Sequence, residues 1–228
     1  MSVIVDNFIA PPCLDEIEIL WQDEHLLLID KPSGLLSLSG KNPQNLDSVH
    51  YRLVKNFPGC TLVHRLDFGT SGLMVIARNK AINAALCHQF SERAVKKAYS
   101  ALLCGHVEHD EGVIDAPIAK DPALFPLMSI CAITGKPARS RYRVLERFYQ
   151  ATGLPLTRVA LTPETGRTHQ LRIHCQQLGH PILGCDLYGG LEWPGTETTP
   201  RLMLHASGLD FVHPVSGEAI NARHAAPF

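Results

Sequence analysis

The stretch Leu62-Val63-His64-Arg65-Leu66-Asp67-Phe68-Gly69-Thr70-Ser71-Gly72 sets a carboxylate, a guanidinium and two glycines between apolar runs. Catalytic groups are often carried on such loops between rigid elements. An opposite charge held beside a carboxylate favours its ionised form, so Asp67 next to Arg65 could serve as a base or a nucleophile. Taken alone, His64-Arg65-Leu66-Asp67 reads more simply as a surface loop with a structural Arg–Asp pair, because chance matches to so short a motif are common.

A second stretch, Gly166-Arg167-Thr168-His169-Gln170-Leu171-Arg172-Ile173-His174, predicts a helix over residues 168–178 capped by Thr168 and ended by Gly179. Leu171 and Arg172 then lie in its first turn, with Arg172 about one turn after His169. The plain reading is an amphipathic helix with a solvated basic face. Metal ligation by His169, His174 and Cys175 is disfavoured, because histidines five apart diverge around a helix, and no metal is expected. A third stretch brings Lys96 and Lys97 to the start of a strand that carries Tyr99. That tyrosine is either a half-buried strand residue or a flat platform on which a nucleic-acid base stacks. Arg139, Arg141 and Arg143 alternate, so in a strand they share one face, with Ser140, Tyr142 and Val144 on the other. The basic face is either solvated or a strip for phosphates.

The net charge of −1 gives no overall nucleic-acid signature. The charge is uneven, however: Lys136, Arg139, Arg141, Arg143 and Arg147 face only Glu146 within their segment. Anion binding must therefore use local patches. Seven scattered cysteines with no Cys-x-x-Cys pair point to reduced thiols and a cytoplasmic location. The first thirteen residues lack the basic start of a secretory signal, and no apolar segment is long enough to cross a bilayer, so no membrane association is expected.

The elements that must position these groups follow from the hydrophobic pattern. Leu26-Leu27-Leu28-Ile29 predicts a buried strand closed by the turn Asp30-Lys31-Pro32-Ser33-Gly34. Asp47 is expected to cap a short helix carrying Val49, Leu53 and Phe57 inward. A strand over 73–77 leads into a helix over 80–93 with Ile82, Leu86 and Phe90 on one face. Strands are predicted over 98–104, 138–145, 157–162 and 202–212, the last ending at a turn over 213–217. Many strands, three helices and no regular βαβ alternation indicate an α+β fold with a mixed, largely antiparallel sheet. With no linker visible, residues 1–228 are expected to form a single domain with a core of about 17–225.

Taken together the motifs resemble the RluA family of pseudouridine synthases. Asp30-Lys31-Pro32-Ser33-Gly34-Leu35 is similar to its first motif, His64 to Gly72 to its catalytic loop, and Lys97-Ala98-Tyr99 to its tyrosine motif. Gly166 to His174 resembles the motif that supplies an arginine partner to the aspartate. His180-Pro181-Ile182-Leu183-Gly184 and Arg201-Leu202-Met203-Leu204-His205-Ala206 extend the match in order towards the C-terminus. Thr134-Gly135-Lys136-Pro137-Ala138 resembles the RluA-type subgroup, which has no S4-type RNA-binding domain. Two departures stand out. Cys185 intervenes before Asp186 where the family has Gly-Asp, and the run Leu124-Phe125-Pro126-Leu127-Met128 is apolar where the subgroup is more basic.

The resemblance implies a reaction in which the N1–C1′ glycosidic bond of uridine breaks, the uracil rotates, and C5 joins C1′. No redox or external energy source is required, so no cofactor is expected. The base must leave its stack, at a cost of a few kcal/mol. By similarity, Asp67 attacks C1′ or removes the C2′ proton, Arg172 pairs with Asp67, and Tyr99 stacks on the uracil. Arg65 takes the space of the flipped nucleotide, and Leu171 packs on the base. His64, Lys31, Arg139, Arg141 and Arg143 complete the expected RNA contacts. The implied substrates are hairpins of 23S ribosomal RNA, of tRNA (the anticodon stem-loop), or of both. A monomer with no obligate protein partner is expected. Two rivals are a non-catalytic RNA-binding or RNA-folding module on the same scaffold and a glycoside-cleaving hydrolase pairing Asp67 with Glu164.

Overall fold

The computed structural model describes residues 8–120, 126–189, 193 and 199–228. Two compact units are present, one built from residues 8–95 with Leu209–His224, the other from Lys96–Gly208 with Ala225–Phe228. Leu124 and Phe125 of the apolar run noted above lie outside the described residues. Among the described residues no helix is long and apolar enough to cross a membrane.

In the first unit β1 (Glu18–Gln22) pairs antiparallel with β2 (Leu26–Lys31), and β2 with β4 (Ser71–Ala77), which also pairs with the short β3 (Thr61–Leu62). The apolar run of β2 and all seven residues of β4 are buried or nearly so, as expected of strands covered on both faces. Helix α2 (Lys80–Ser91) sinks Ile82 and Leu86 into a cluster with Leu26, Leu28, Val75, Leu209 and Phe211. Asn79 caps it through the Ile82 N–H. At its far end the Gln89 amide donates to the Val212 carbonyl (2.7 Å) and accepts from the Val212 N–H (2.9 Å). The short helix α1 (Val49–Leu53) corrects the expected cap. Ser48, not Asp47, accepts the Tyr51 N–H, while Asp47 is taken up by a two-pronged bond from Arg52.

In the second unit β5 (Lys96–Cys104) pairs antiparallel with β10 (Pro155–Pro163), β10 with β9 (Arg139–Tyr149), and β9 with β6 (Glu111–Asp115). A separate hairpin joins β7 (Ile118–Lys120) to β8 (Met128–Ile130). Strand β5 alternates: Ala101 and Leu103 enter the main cluster with Val159, Leu161, Leu171 and Ile173, whereas Leu102 and Cys104 pack on Leu154 and Leu156. Helix α3 (Gln170–Gln177) is buried from Gln170 through Cys175, so the expected solvated basic face is absent. Strand β11 (Leu204–Val212) has residues in both units, and β12 (Ala219–Arg223) follows it after the turn. The architecture is α+β with few helices and mainly antiparallel pairing.

Candidate active site

The catalytic loop is held by its backbone. Lys31, at the end of β2, is fully buried, and its Nζ donates to the carbonyls of Pro32 (2.8 Å), Leu35 (2.7 Å) and Phe68 (3.2 Å). Ser33 Oγ donates to the Gly69 carbonyl at 2.7 Å, and the Gly34 N–H to the Phe68 carbonyl at 2.9 Å. Gly34 has φ 77°, a conformation that glycine enters without steric cost. Ser37 Oγ bonds both backbone groups of Leu66, accepting from its N–H at 3.1 Å and donating to its carbonyl at 2.7 Å. The motif over residues 30–35, together with Ser37, is therefore the clamp that fixes residues 66–69. Lys31 is corrected from an RNA contact to an internal strut, because its donors are spent on carbonyls and none of it is exposed.

Lys31→Met should leave those carbonyls unmet and cost roughly 3 kcal/mol, lowering Tm by about 6–12 °C in a protein of this size. Thermal unfolding followed by circular dichroism checks this; an unchanged Tm would refute the strut.

His64 braces the same loop. Its Nε2 accepts the Val75 N–H at 3.1 Å and its half-buried ring stacks on Phe90 at 4.8 Å. Arg65 is exposed and Asp67 half-buried. The Asp67 carbonyl accepts the Thr70 N–H, turning the chain, and its carboxylate makes no hydrogen bond or ion pair among the described residues of its own unit.

In the other unit Tyr99 lies on the inner face of β5, opposite Leu161 in register, and packs against the cluster that contains Leu171. Two residues before it, burial depresses the pKa of Lys97 below the usual lysine value. Helix α3 begins differently from expectation. His169, not Thr168, precedes it, in the left-handed conformation with φ 54° and without a side-chain cap. The preceding turn is held by Gln170, whose Oε1 accepts from Thr165 Oγ1 (2.7 Å) and the Arg167 N–H (3.0 Å). Arg172 is almost wholly buried. Its Nε donates to Cys185 Sγ at 3.3 Å, its Nη2 bonds the Asp186 carboxylate, and its guanidinium lies 5.5 Å from the centre of the Tyr188 ring. Cys185 is thus accommodated, with Asp186 still reaching the arginine. His174 is structural: Nδ1 meets Ser140 Oγ at 2.9 Å, Nε2 meets the Ala116 carbonyl at 3.1 Å, and burial lowers its pKa.

The strip on β9 alternates as expected, with Arg139, Arg141 and Arg143 exposed, Ser140 and Tyr142 buried, and Val144 half-buried. Its charge is partly answered from within. Glu164 takes Arg141 at 2.5 Å and Arg139 at 3.5 Å, and Asp115 lies 3.9 Å from Arg139. Arg143 makes no ion pair among the described residues, although Glu111 stands opposite it on β6. The engagement of Glu164 by two arginines counts against the hydrolase reading, which needs that carboxyl for acid–base work. Sequence reading missed Cys185, Asp186 and Tyr188 as arginine contacts and Ser33 and Ser37 as clamps. Only Ser33 falls inside a motif; the others lie just beyond the ends of the motifs at 30–35 and 180–184.

The model of the RNA pseudouridylate synthase family matches residues 25–177, and the chain belongs to that family. It is of the RluA type, an RNA pseudouridine synthase and so an isomerase. The dual-specificity RNA pseudouridine synthase RluA of Vibrio vulnificus (strain CMCP6) is 45% identical over 206 residues, 90% of this chain and 82% of that protein. Its counterpart from Escherichia coli (strain K12) is 42% identical over 218 residues, 96% and 97% of the two chains. Among solved structures, human RNA pseudouridylate synthase domain containing 1 is similar with a TM-score of 0.80 and 32% identity, covering 96% of this chain and 86% of that one. Human RNA pseudouridylate synthase domain containing 4 gives 0.72 and 28%, over 92% and 88%.

Proposed function

We propose that this enzyme isomerises uridines in hairpins of 23S ribosomal RNA, of the tRNA anticodon stem-loop, or of both, as the dual specificity in its relatives' names suggests. The observation that carries the reading is the clamped loop, which presents Asp67 beside an exposed Arg65. Arg65 enters the stack as the uridine leaves it. Asp67 acts on the sugar, at C1′ as nucleophile or at C2′ as base, and Arg172 meets the Asp67 carboxylate in the working complex. Tyr99 and Leu171, which share one apolar cluster, hold the uracil between them. Arg143 is the member of the β9 strip that meets phosphate, its neighbours Arg139 and Arg141 being engaged by Glu164. The chain works as one catalytic domain, a monomer in the cytoplasm without an obligate protein partner, and it needs no cofactor, since the isomerisation balances without a second substrate.

Release of tritium from C5-labelled uridine in a hairpin RNA tests the reading directly. Binding without release would favour the non-catalytic module, and free uracil among the products would favour the hydrolase. Tyr99→Phe keeps the stacking face, so RNA affinity should stay within about three-fold. If its hydroxyl helps remove the C5 proton, turnover falls about 100-fold or more. Unchanged turnover in single-turnover assays would leave the hydroxyl without a role.

A further inference from the structure

Arg172 does not stand alone in its unit: three residues of one short segment surround its guanidinium. Cys185 Sγ takes Nε, the Asp186 carboxylate takes Nη2, and the Tyr188 ring lies 5.5 Å from the guanidinium carbon. Tyr188 is itself buried, and its hydroxyl has two further partners. It accepts the Met128 N–H of β8 at 2.8 Å and bonds His169 Nδ1 at 2.9 Å. His169 is the residue in the left-handed conformation from which α3 departs, one turn before Arg172. A non-glycine residue persists in that conformation only where its surroundings hold it there.

We propose that residues 185–188 are a positioning cradle for Arg172, and that Tyr188 bolts this cradle to the β7–β8 hairpin and to the entry turn of α3. The proposal rests on the reading of Arg172 as the partner of Asp67. A guanidinium is a planar fork, so contacts at Nε and Nη2 fix both its place and its plane. A flat ring beneath it removes the remaining freedom to tilt. Tyr188 touches neither the reacting sugar nor the base in this scheme; it acts through Arg172 and through the turn at His169. The hairpin's place in the fold and the aim of the arginine then depend on one hydroxyl.

A double-mutant cycle with a labelled hairpin RNA tests this. Tyr188→Leu and Asp186→Asn should each lower kcat about 10- to 100-fold, with KM within about two-fold, because a misaimed group near the chemistry slows turnover more than binding. Tyr188→Phe keeps the ring but loses both hydroxyl contacts, so its kcat should fall nearly as far as that of Tyr188→Leu; parent-like turnover in Tyr188→Phe would overturn the role of the hydroxyl. Combined with Arg172→Ala, either change should add little, because the arginine it aims is gone. Losses that multiply in the double variants would overturn the cradle while leaving the site reading in place. If Arg172→Ala alone turns over normally, the site reading falls and the cradle with it. Should Tyr188→Leu fail to fold, the same cycle with Asp186→Asn decides, because the Asp186 side chain is 73% exposed and not part of the core.

Discussion

Replacing Asp67 by asparagine is expected to abolish formation of pseudouridine while RNA affinity stays within about three-fold and Tm within about 2 °C. The amide keeps the shape of the carboxylate but is neither a nucleophile at C1′ nor a base at C2′. The fold should not register the change. Residues 66–69 are held through backbone groups by Lys31, Ser33, Gly34 and Ser37, and the Asp67 carboxylate takes no part in that clamp. Tritium release, filter binding and thermal unfolding on one preparation would read all three quantities. Turnover above about 1% of the parent, a loss of less than 3 kcal/mol in transition-state stabilisation, would sink the assignment.

Arg172→Ala is expected to lower kcat by about 100- to 1000-fold, the usual cost of removing one preorganised charge from a reacting centre. Unlike the change at Asp67, it should also reach the fold. The guanidinium is buried among Cys185, Asp186 and Tyr188, so its removal leaves a void in a packed region and costs roughly 2 kcal/mol. Arg172→Lys should restore only a small part of the rate, because an ammonium is a point charge and cannot make the two directed contacts of the fork. A normal rate for Arg172→Ala would show that the aspartate takes its partner from elsewhere.

The parts of the fold that were legible in the sequence are those with long apolar runs or strong period. Strands β2, β4, β5, β9 and β10 fall where Leu26–Ile29, residues 73–77 and the alternating Arg139-Ser140-Arg141-Tyr142-Arg143 predict them. Strands β1, β6, β7, β8 and β12 were not foreseen. They are three to five residues long, and none carries the run or the alternation that marks a half-buried strand. Strand β6 even contains Gly112, where a Cβ would lie 2.6 Å from the Tyr142 ring, so the residue that weakens the strand signal is the one packing requires. Both helix starts were misplaced by a residue or two for a physical reason. Asp47 has the chemistry of a cap but is claimed by Arg52, and Thr168 is followed by a left-handed histidine that no propensity favours.

At the candidate site, the motifs single out Asp67, Tyr99, Leu171 and Arg172 as the expected chemical groups, and nothing in them marks the residues that support those groups. Lys31 is an expected RNA contact by similarity alone, and only its burial and its three carbonyl partners mark it as an internal strut, a rare place for a lysine. Asp186 lies fourteen residues beyond Arg172, a separation at which sequence gives no hint of contact.

The clamp over residues 30–37 also bears on how the enzyme responds to heat. A loop held by its own side chains would loosen before the rest of the molecule, and catalysis would fade ahead of the fold. Here the anchors are a buried lysine at the end of a core strand and a serine that bonds both backbone groups of Leu66, so the loop shares the cooperativity of its sheet. Asp67 therefore has no local melting of its own: it loses its place only when the strands around β2 come apart.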